Sequence, residues 1–161
     1  MIKIRATLES NEVVIRELII DENLTLEDLH RLITKNFNLG DFEMASFFQT
    51  DCDLNLGCEI SLFDTSQTIG ESLVMNQVII STLLYSSETQ LIYVYDFLKM
   101  WRFHIQYVEK VVSLENTNLY SIGKMPSEAP KFTFESDKKK GEYDSFREEF
   151  DDFDEFKGYE Y

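Results

Sequence analysis

The sequence predicts an α+β domain in which a mixed or antiparallel sheet of about five to six strands packs against one main helix. Three stretches predict it: alternating apolar residues over 1–20, a helical apolar stripe over 26–37, and an aromatic run over 91–105. A chain of 161 residues is long enough for one domain with a sizeable core. We place that domain at residues 1–125, followed by a linker and an acidic aromatic tail with a helical pattern at 126–161.

The first twenty residues predict an antiparallel hairpin. Apolar and polar side chains alternate over residues 1–8, which is typical of a strand with one solvated face. Ser10 and Asn11 mark a turn, and residues 13–20 follow as the second strand.

The next stretch predicts a helix from Leu26 to Phe37. Thr25 precedes it and Asp28 follows three residues later, the arrangement of a capping box. Residues 38–40 close the helix, and we place His30 on its polar flank as a surface residue. The apolar positions with helical spacing are Leu26, Leu29, Leu32, Ile33 and Phe37.

The middle of the chain has a weaker pattern. We predict short strands at 45–49 and 59–63, with a loop at 64–70. Asp51, Asp53 and Asn55 imitate the opening of a calcium loop, but the glycine comes one place late and the twelfth position is a leucine. We therefore interpret residues 50–57 as a polar turn. The apolar run at 73–84 fits either a strand or a short helical turn.

The run LIYVYDFLKMWRFHI, residues 91–105, predicts the central hairpin of the sheet. Residues 91–97 form a strand that is apolar on both faces, with Tyr93, Tyr95 and Phe97 on one of them. A turn at 98–100 leads into a second strand at 101–107.

Composition disfavours several functions. The net charge of −15 and the scattered positions of the 15 basic residues disfavour nucleic-acid binding. No apolar run approaches the length of a membrane span, and the N-terminal residues lack the apolar region of a signal peptide. We therefore expect a cytoplasmic protein without membrane contact. Cys52 and Cys58 predict reduced thiols rather than a disulfide framework or a zinc site.

The last nineteen residues hold eight acids, two bases and seven aromatics. Their aromatics recur at spacings of three and four residues, the stripe of an amphipathic helix. Two interpretations stay open, since this helix either packs on its own domain or docks in the groove of a partner protein. The partner-binding candidates are Tyr143, Phe146, Phe150, Phe153 and Phe156.

Catalytic patterns are scarce. The sequence has no Gly-rich phosphate loop and no nucleophile elbow, and we predict no cofactor and no metal site. Asp96 and His104 are the one acid–base pair that the sequence offers, since they could meet across the predicted hairpin beside Trp101. The competing interpretation is a solvated His104 on the polar face of its strand.

Several segments together resemble the plasmid Ri open-reading-frame-three family, whose members are also described as TnpR-like passengers of insertion elements. The resemblance covers residues 1–112. The residues that carry it are TLEDLHRLI at 25–33 with Phe37, ASFF at 45–48, and LIYVYDF at 91–97 with Trp101.

This sequence departs from the family pattern just after the YDF motif. The family continues with Gly-Asp, a Trp, and a His two residues beyond the Trp, whereas here Leu98 and Lys99 replace Gly-Asp and Phe103 takes the place of the His. The acidic aromatic tail also replaces a Cys- and Pro-rich C-terminal region. The resemblance implies a compact bacterial α+β domain with its helix packed on the sheet, and it implies no defined activity.

Two hypotheses for function follow. The first is a non-enzymatic, cytoplasmic protein-interaction module with an acidic surface, associated with mobile-element or plasmid-type genes. The alternative is a small enzyme of undefined reaction that uses Asp96 and His104 beside Trp101. The second hypothesis requires that those side chains converge in a concave pocket.

Overall fold

The computed structural model describes residues 1–40, 42–51, 53–68, 70–112 and 117–131. Within these ranges the chain forms seven strands, one α-helix and two short 3-10 helices. In chain order they are β1 (Ile2–Leu8), β2 (Ile15–Ile20), α1 (Leu26–Phe37), β3 (Ala45–Thr50), β4 (Leu56–Ser61), the 3-10 helices Met75–Gln77 and Ile80–Thr82, β5 (Gln90–Tyr95), β6 (Trp101–Lys110) and β7 (Thr117–Ile122). The α+β class is confirmed.

All seven strands belong to one sheet, in the order β4-β3-β5-β6-β1-β2-β7. Every pairing between them is antiparallel. The predicted hairpins β1–β2 and β5–β6 are confirmed, with Ile2 opposite Ile20 and Tyr95 opposite Trp101. The predicted strand number of five to six was too low, because β7 has no apolar alternation that would reveal it.

One face of the sheet carries the core, and α1 packs against it together with the two 3-10 helices. Alternate residues of β1 are buried, as its pattern predicted. The capping box of α1 is present, since the Thr25 hydroxyl accepts from Asp28 N and Asp28 Oδ2 accepts from Thr25 N. The helix ends at Asn38, which has the left-handed φ of 54°.

Three further predictions, for β5, for β4 and for the run at 73–84, are compared here with the observed elements. β5 is buried on both faces as predicted, but it ends at Tyr95, and Phe97 is a partly exposed turn residue rather than a core residue. β4 begins three residues earlier than predicted. The run at 73–84, which fits either a strand or a helical turn by its pattern, forms two 3-10 helices. Backbone hydrogen bonds hold this segment beside α1: Ile80 N donates to the Leu24 carbonyl, and Leu26 N donates to the Val78 carbonyl.

None of the helices within the described residues is both long enough and apolar enough to cross a membrane. The longest, α1, has twelve residues, and its outward face is charged. The partner-binding candidates Tyr143, Phe146, Phe150, Phe153 and Phe156 lie outside the described residues.

Candidate binding cleft at the β5–β6 turn

A cleft of about 320 Å³ opens at the end of the sheet where β5 turns into β6. The loop after α1 forms one wall, the β5–β6 turn another, and the segment after β7 a third. Its volume is at the lower end of the range found for small-molecule and cofactor sites. The wall residues include the apolar Phe37, Leu39, Phe42, Trp101 and Met125 and the charged Glu43, Asp96 and Lys99.

Asp96 organises the turn beside this cleft. Its Oδ1 accepts from the backbone N–H groups of Leu98 and Lys99 at 3.1 and 3.2 Å, and the Lys99 Nζ lies 3.3 Å from its Oδ2. The Asp96 side chain is 5% exposed, so its carboxylate is buried within the turn. An aspartate that caps a turn in this way fixes the backbone rather than offering a free base.

The turn holds two residues in the left-handed region. Asp96 has φ 57° and Met100 has φ 59°. Aspartate tolerates this conformation, but a methionine there costs about 1–2 kcal/mol. Backbone hydrogen bonds from Lys99 N and Met100 N to the Asp96 carbonyl hold the conformation in place. Strain of this kind concentrates at functional sites, which makes the turn a candidate site on grounds independent of the cleft.

Two hydrogen bonds tie the cleft walls to each other. The Tyr95 hydroxyl donates to the Gly40 carbonyl, which fixes the loop after α1 against β5. The N–H of Asp96 donates to the Met44 carbonyl at 2.9 Å. Two of the three walls, the loop after α1 and the β5–β6 turn, are therefore fixed to each other through β5.

The structure does not bring Asp96 and His104 together. In the β5–β6 register Tyr95 faces Trp101, whereas His104 faces Ile92, further along the strands. His104 Nε2 lies 2.7 Å from Gln90 Oε1. Burial lowers the pKa of His104, an effect that nearby Glu9 opposes and Arg102 reinforces. The geometric basis for an acid–base couple is therefore absent, because the hairpin turn positions the two side chains at different registers.

His30 is not the surface residue that its sequence context predicted. It is buried, and its Nδ1 shares a hydrogen bond of 2.6 Å with the Tyr93 hydroxyl. Burial raises the pKa of Tyr93, with a further contribution from Tyr95. The helical spacing could have predicted the burial of His30, since this residue lies four positions after Leu26 and three before Ile33, on the apolar face.

In the described ranges no three or more His, Cys, Asp or Glu side chains lie close enough together to hold a metal ion. What the geometry offers is a concave surface with an apolar wall and a fixed ion pair. The class of protein that the fold defines is an α+β domain, with one α-helix on a seven-stranded antiparallel sheet.

The comparisons with known proteins place this fold in a family. The model of the plasmid pRiA4b ORF-3-like protein family matches residues 1–131, and the chain belongs to that family. A protein of unknown function from Methanosarcina mazei Go1 has a similar crystal structure, with a TM-score of 0.62 and 15% identity over 74% of this chain and 68% of that one. At this identity the likeness shows the fold alone. No curated protein matches the sequence.

Proposed function

We propose that this protein is a non-enzymatic protein-interaction module, and that the cleft at the β5–β6 turn docks an apolar segment of a partner. The observation that carries the proposal is a group of exposed apolar side chains in the two segments that flank the cleft. Phe42 is 99% and Leu98 is 95% exposed. The remaining members are Met44, Phe97 and Met100.

Exposed apolar side chains are ordinary when scattered, but a group beside a cleft is typical of an interaction site. Here five of them occur within residues 42–44 and 97–100, which are joined through the Asp96–Met44 hydrogen bond. Because the backbone of both segments is already fixed, docking would order few main-chain dihedrals and would cost little entropy.

The charges of the cleft favour a partner segment with a basic residue beside its apolar anchor. Among the charged wall residues Glu43 and Asp96 are acids and Lys99 is a base. Lys99 is already paired with Asp96, which leaves the Glu43 carboxylate to face a partner. Two hydrogen bonds support the non-enzymatic part of the proposal. The Asp96 carboxylate accepts from the backbone of its own turn, and the His104 ring shares a hydrogen bond with Gln90.

The acidic aromatic tail is the second part of the proposal. Tyr143, Phe146, Phe150, Phe153 and Phe156 have the spacing of an apolar helical stripe, and we propose that this stripe docks in the groove of a protein partner. The description of the family after a plasmid reading frame supports a partner encoded among plasmid or mobile-element genes. We propose that this interaction takes place in the cytoplasm.

The test of the cleft compares two matched variants of the full chain. A photo-reactive residue at position 42 identifies the partner, which is then purified so that its dissociation constant can be measured. We expect Leu98→Lys to weaken binding at least about tenfold, because it places a charge in the apolar contact. Val112→Lys is the control, since Val112 is fully exposed and lies outside the flanking segments. Equal effects of the two substitutions would contradict the proposal.

The tail has its own test with the same purified partner. Phe150→Ser combined with Phe153→Ser removes the middle of the stripe and leaves every charge in place. If the tail docks in the partner, this variant weakens binding while its unfolding midpoint stays that of the wild type. A lowered unfolding midpoint with unchanged binding would instead mean that the tail packs on its own domain.

A further inference from the structure

The charge of the domain is divided unevenly along the sheet. Residues 36–98 contain nine acids and no Lys or Arg, whereas the other residues up to 131 contain ten acids and ten bases. The segment without bases forms β3, β4 and β5, which occupy one side of the sheet. Residues 36–98 therefore carry the whole net charge of residues 1–131.

Strand β4 ends the sheet on this acidic side. Within the described residues one side of β4 pairs with β3. On its other side only Ser61 has a neighbour among these residues, the segment at Leu73 and Val74. Ser61 N–H points outward to the Leu73 carbonyl at 3.2 Å. Because strand N–H groups alternate in direction, the N–H of Glu59 points outward as well. Among the described residues none pairs with the outer edge of residues 56–60, whose regular alternation is interrupted once, by the register shift between Glu59 and Leu56.

The acids around this edge have neutral partners. Asp51 accepts from Asn55 and from backbone N–H groups, Asp64 from Ser66 and Gly70, and Glu59 from the Ser46 hydroxyl. These donors lower the pKa of Asp51 and hold the pKa of Asp64 at about 2. In the described part of the chain no ion pair involves Asp51, Asp53, Glu59, Asp64 or Glu71.

Edge strands usually carry a feature that prevents pairing with another chain, and a lysine on the edge is a common one. β4 has no lysine and no proline, so its register shift opposite Phe48–Thr50 is the one such feature within the strand, and it presents exposed Leu56 beside its acidic neighbours. The negative charge disfavours pairing between two copies of this edge. It complements a basic strand instead.

We propose that the outer edge of β4, residues 56–60, takes an extended Lys- and Arg-rich segment of a partner protein as an added strand. Main-chain hydrogen bonds would supply affinity, and the surrounding acids would select a basic sequence. This surface is separate from the cleft at the β5–β6 turn, and the proposal does not rest on it.

The test titrates the full chain with three synthetic peptides. The first alternates Lys with Thr, the second replaces each Lys by Glu, and the third is the Lys peptide N-methylated at alternate residues. The N-methylated peptide keeps the charge but cannot form the ladder, so we expect it to bind at least about tenfold more weakly than the first. The Glu peptide should not bind. Amide exchange of Glu59 should slow only with the first peptide.

Two variants with the same charge change locate the site. Asp53→Lys reverses an exposed acid in the turn before β4, and Glu12→Lys reverses an exposed acid in the β1–β2 turn. We expect about a fivefold loss of Lys-peptide affinity for Asp53→Lys and almost none for Glu12→Lys. Leu98→Lys should leave this affinity unchanged, which separates the edge from the cleft.

Three outcomes would overturn the proposal. The Lys peptide could fail to bind, the N-methylated peptide could bind as well as the first, or Glu12→Lys could weaken binding as much as Asp53→Lys. The second and third would mean that net charge attracts the peptide without strand addition.

Discussion

The two edges of the sheet are held in opposite ways. Most side chains of β7 are exposed, yet a buried cation holds the end of this strand by a hydrogen bond to its backbone. β4 is also mostly exposed, and both edge strands have a register shift in their pairing, opposite Phe48–Thr50 for β4 and opposite Glu17–Leu18 for β7. One edge strand is therefore anchored by a buried cation and has no charged side chain of its own, whereas the other lies among acids.

Arg16 is the anchor of the β7 edge. Its Nη1 donates to the carbonyls of Ile15 and Ile122 at 2.8 and 2.7 Å, and its Nη2 to that of Gly123 at 3.2 Å. Its Nε donates to the Asn36 carbonyl at the end of α1. The guanidinium thus joins β2, the end of β7 and the helix. A strand without an apolar pattern can be held at an edge by such carbonyl contacts.

The first prediction concerns Gly123, where the chain leaves β7 and passes close to the β1–β2 turn. Its φ is 72°, and a Cβ there would lie 2.1 Å from the Val13 carbonyl oxygen. We expect Gly123→Ala to lower the free energy of unfolding by about 3 kcal/mol or more, measured by urea denaturation. Gly70→Ala is the control. It has a φ of 88° but open space around it, so a cost of about 1 kcal/mol is expected.

The second prediction removes the anchor itself. Arg16→Met keeps much of the apolar stem but loses four hydrogen bonds to backbone carbonyls, and we expect a loss of about 2 kcal/mol in unfolding free energy. Amide exchange in β7 should accelerate before exchange in β4 does. Arg5→Met is the control, because Arg5 is half exposed, Lys3 also pairs with Glu17, and surface pairs contribute less than about 1 kcal/mol. Equal losses in the two variants would remove the distinction between the edges.

Periodicity predicted the elements whose stability comes from a buried stripe. In three places the local sequence pattern shows which side chains are buried. These are the alternation in β1, the spacing and capping box of α1, and the aromatic run through β5 and β6. β7 has no such pattern, because its residues are mostly exposed, and its anchor, Arg16, lies about a hundred residues earlier in the chain. Such a contact is not readable from a local pattern.

The candidate cleft was only partly predictable for the same reason. Asp96 and Trp101 stood out in the sequence, and both line the cleft. Their role differs from the acid–base one expected, because the Asp96 carboxylate caps its own turn. The opposite walls, Phe42 and Met125, come from loops that carry no periodic signal, so only the folded sheet places them beside Trp101.

The third prediction asks whether side-chain packing distinguishes the edges. Leu56 on β4 and Leu119 on β7 are 50% and 48% exposed, a matched pair. Half-burial of a leucine contributes about 1 kcal/mol, so Leu56→Ser and Leu119→Ser should each cost about that much in urea denaturation. The difference between the edges then resides in the backbone anchor. A much larger loss for Leu119→Ser would show that β7 is held by its own side chains instead.

The last prediction uses acid to loosen one edge selectively. The Ser66 hydroxyl and the N–H groups of Gly70 and Ser66 hold the pKa of Asp64 at about 2, below the value near 3.8 of an unfolded aspartate. A folded-state pKa that is depressed contributes stability above the unfolded value and loses it as the pH falls toward the folded one. Between about pH 4 and pH 2.5 the amides of Ser66 and Gly70 should therefore lose exchange protection.

The amides of β7 supply the internal reference for that experiment, because residues 117–122 contain no Asp, Glu, His, Lys or Arg. Their protection should stay constant over the same pH interval while that of the loop after β4 falls. In Asp64→Asn the loop should already be less protected at pH 4, with little further change on acidification. A parallel loss in β7 would mean that acid destabilises the whole sheet, and the electrostatic difference between its edges would then have no part in the effect.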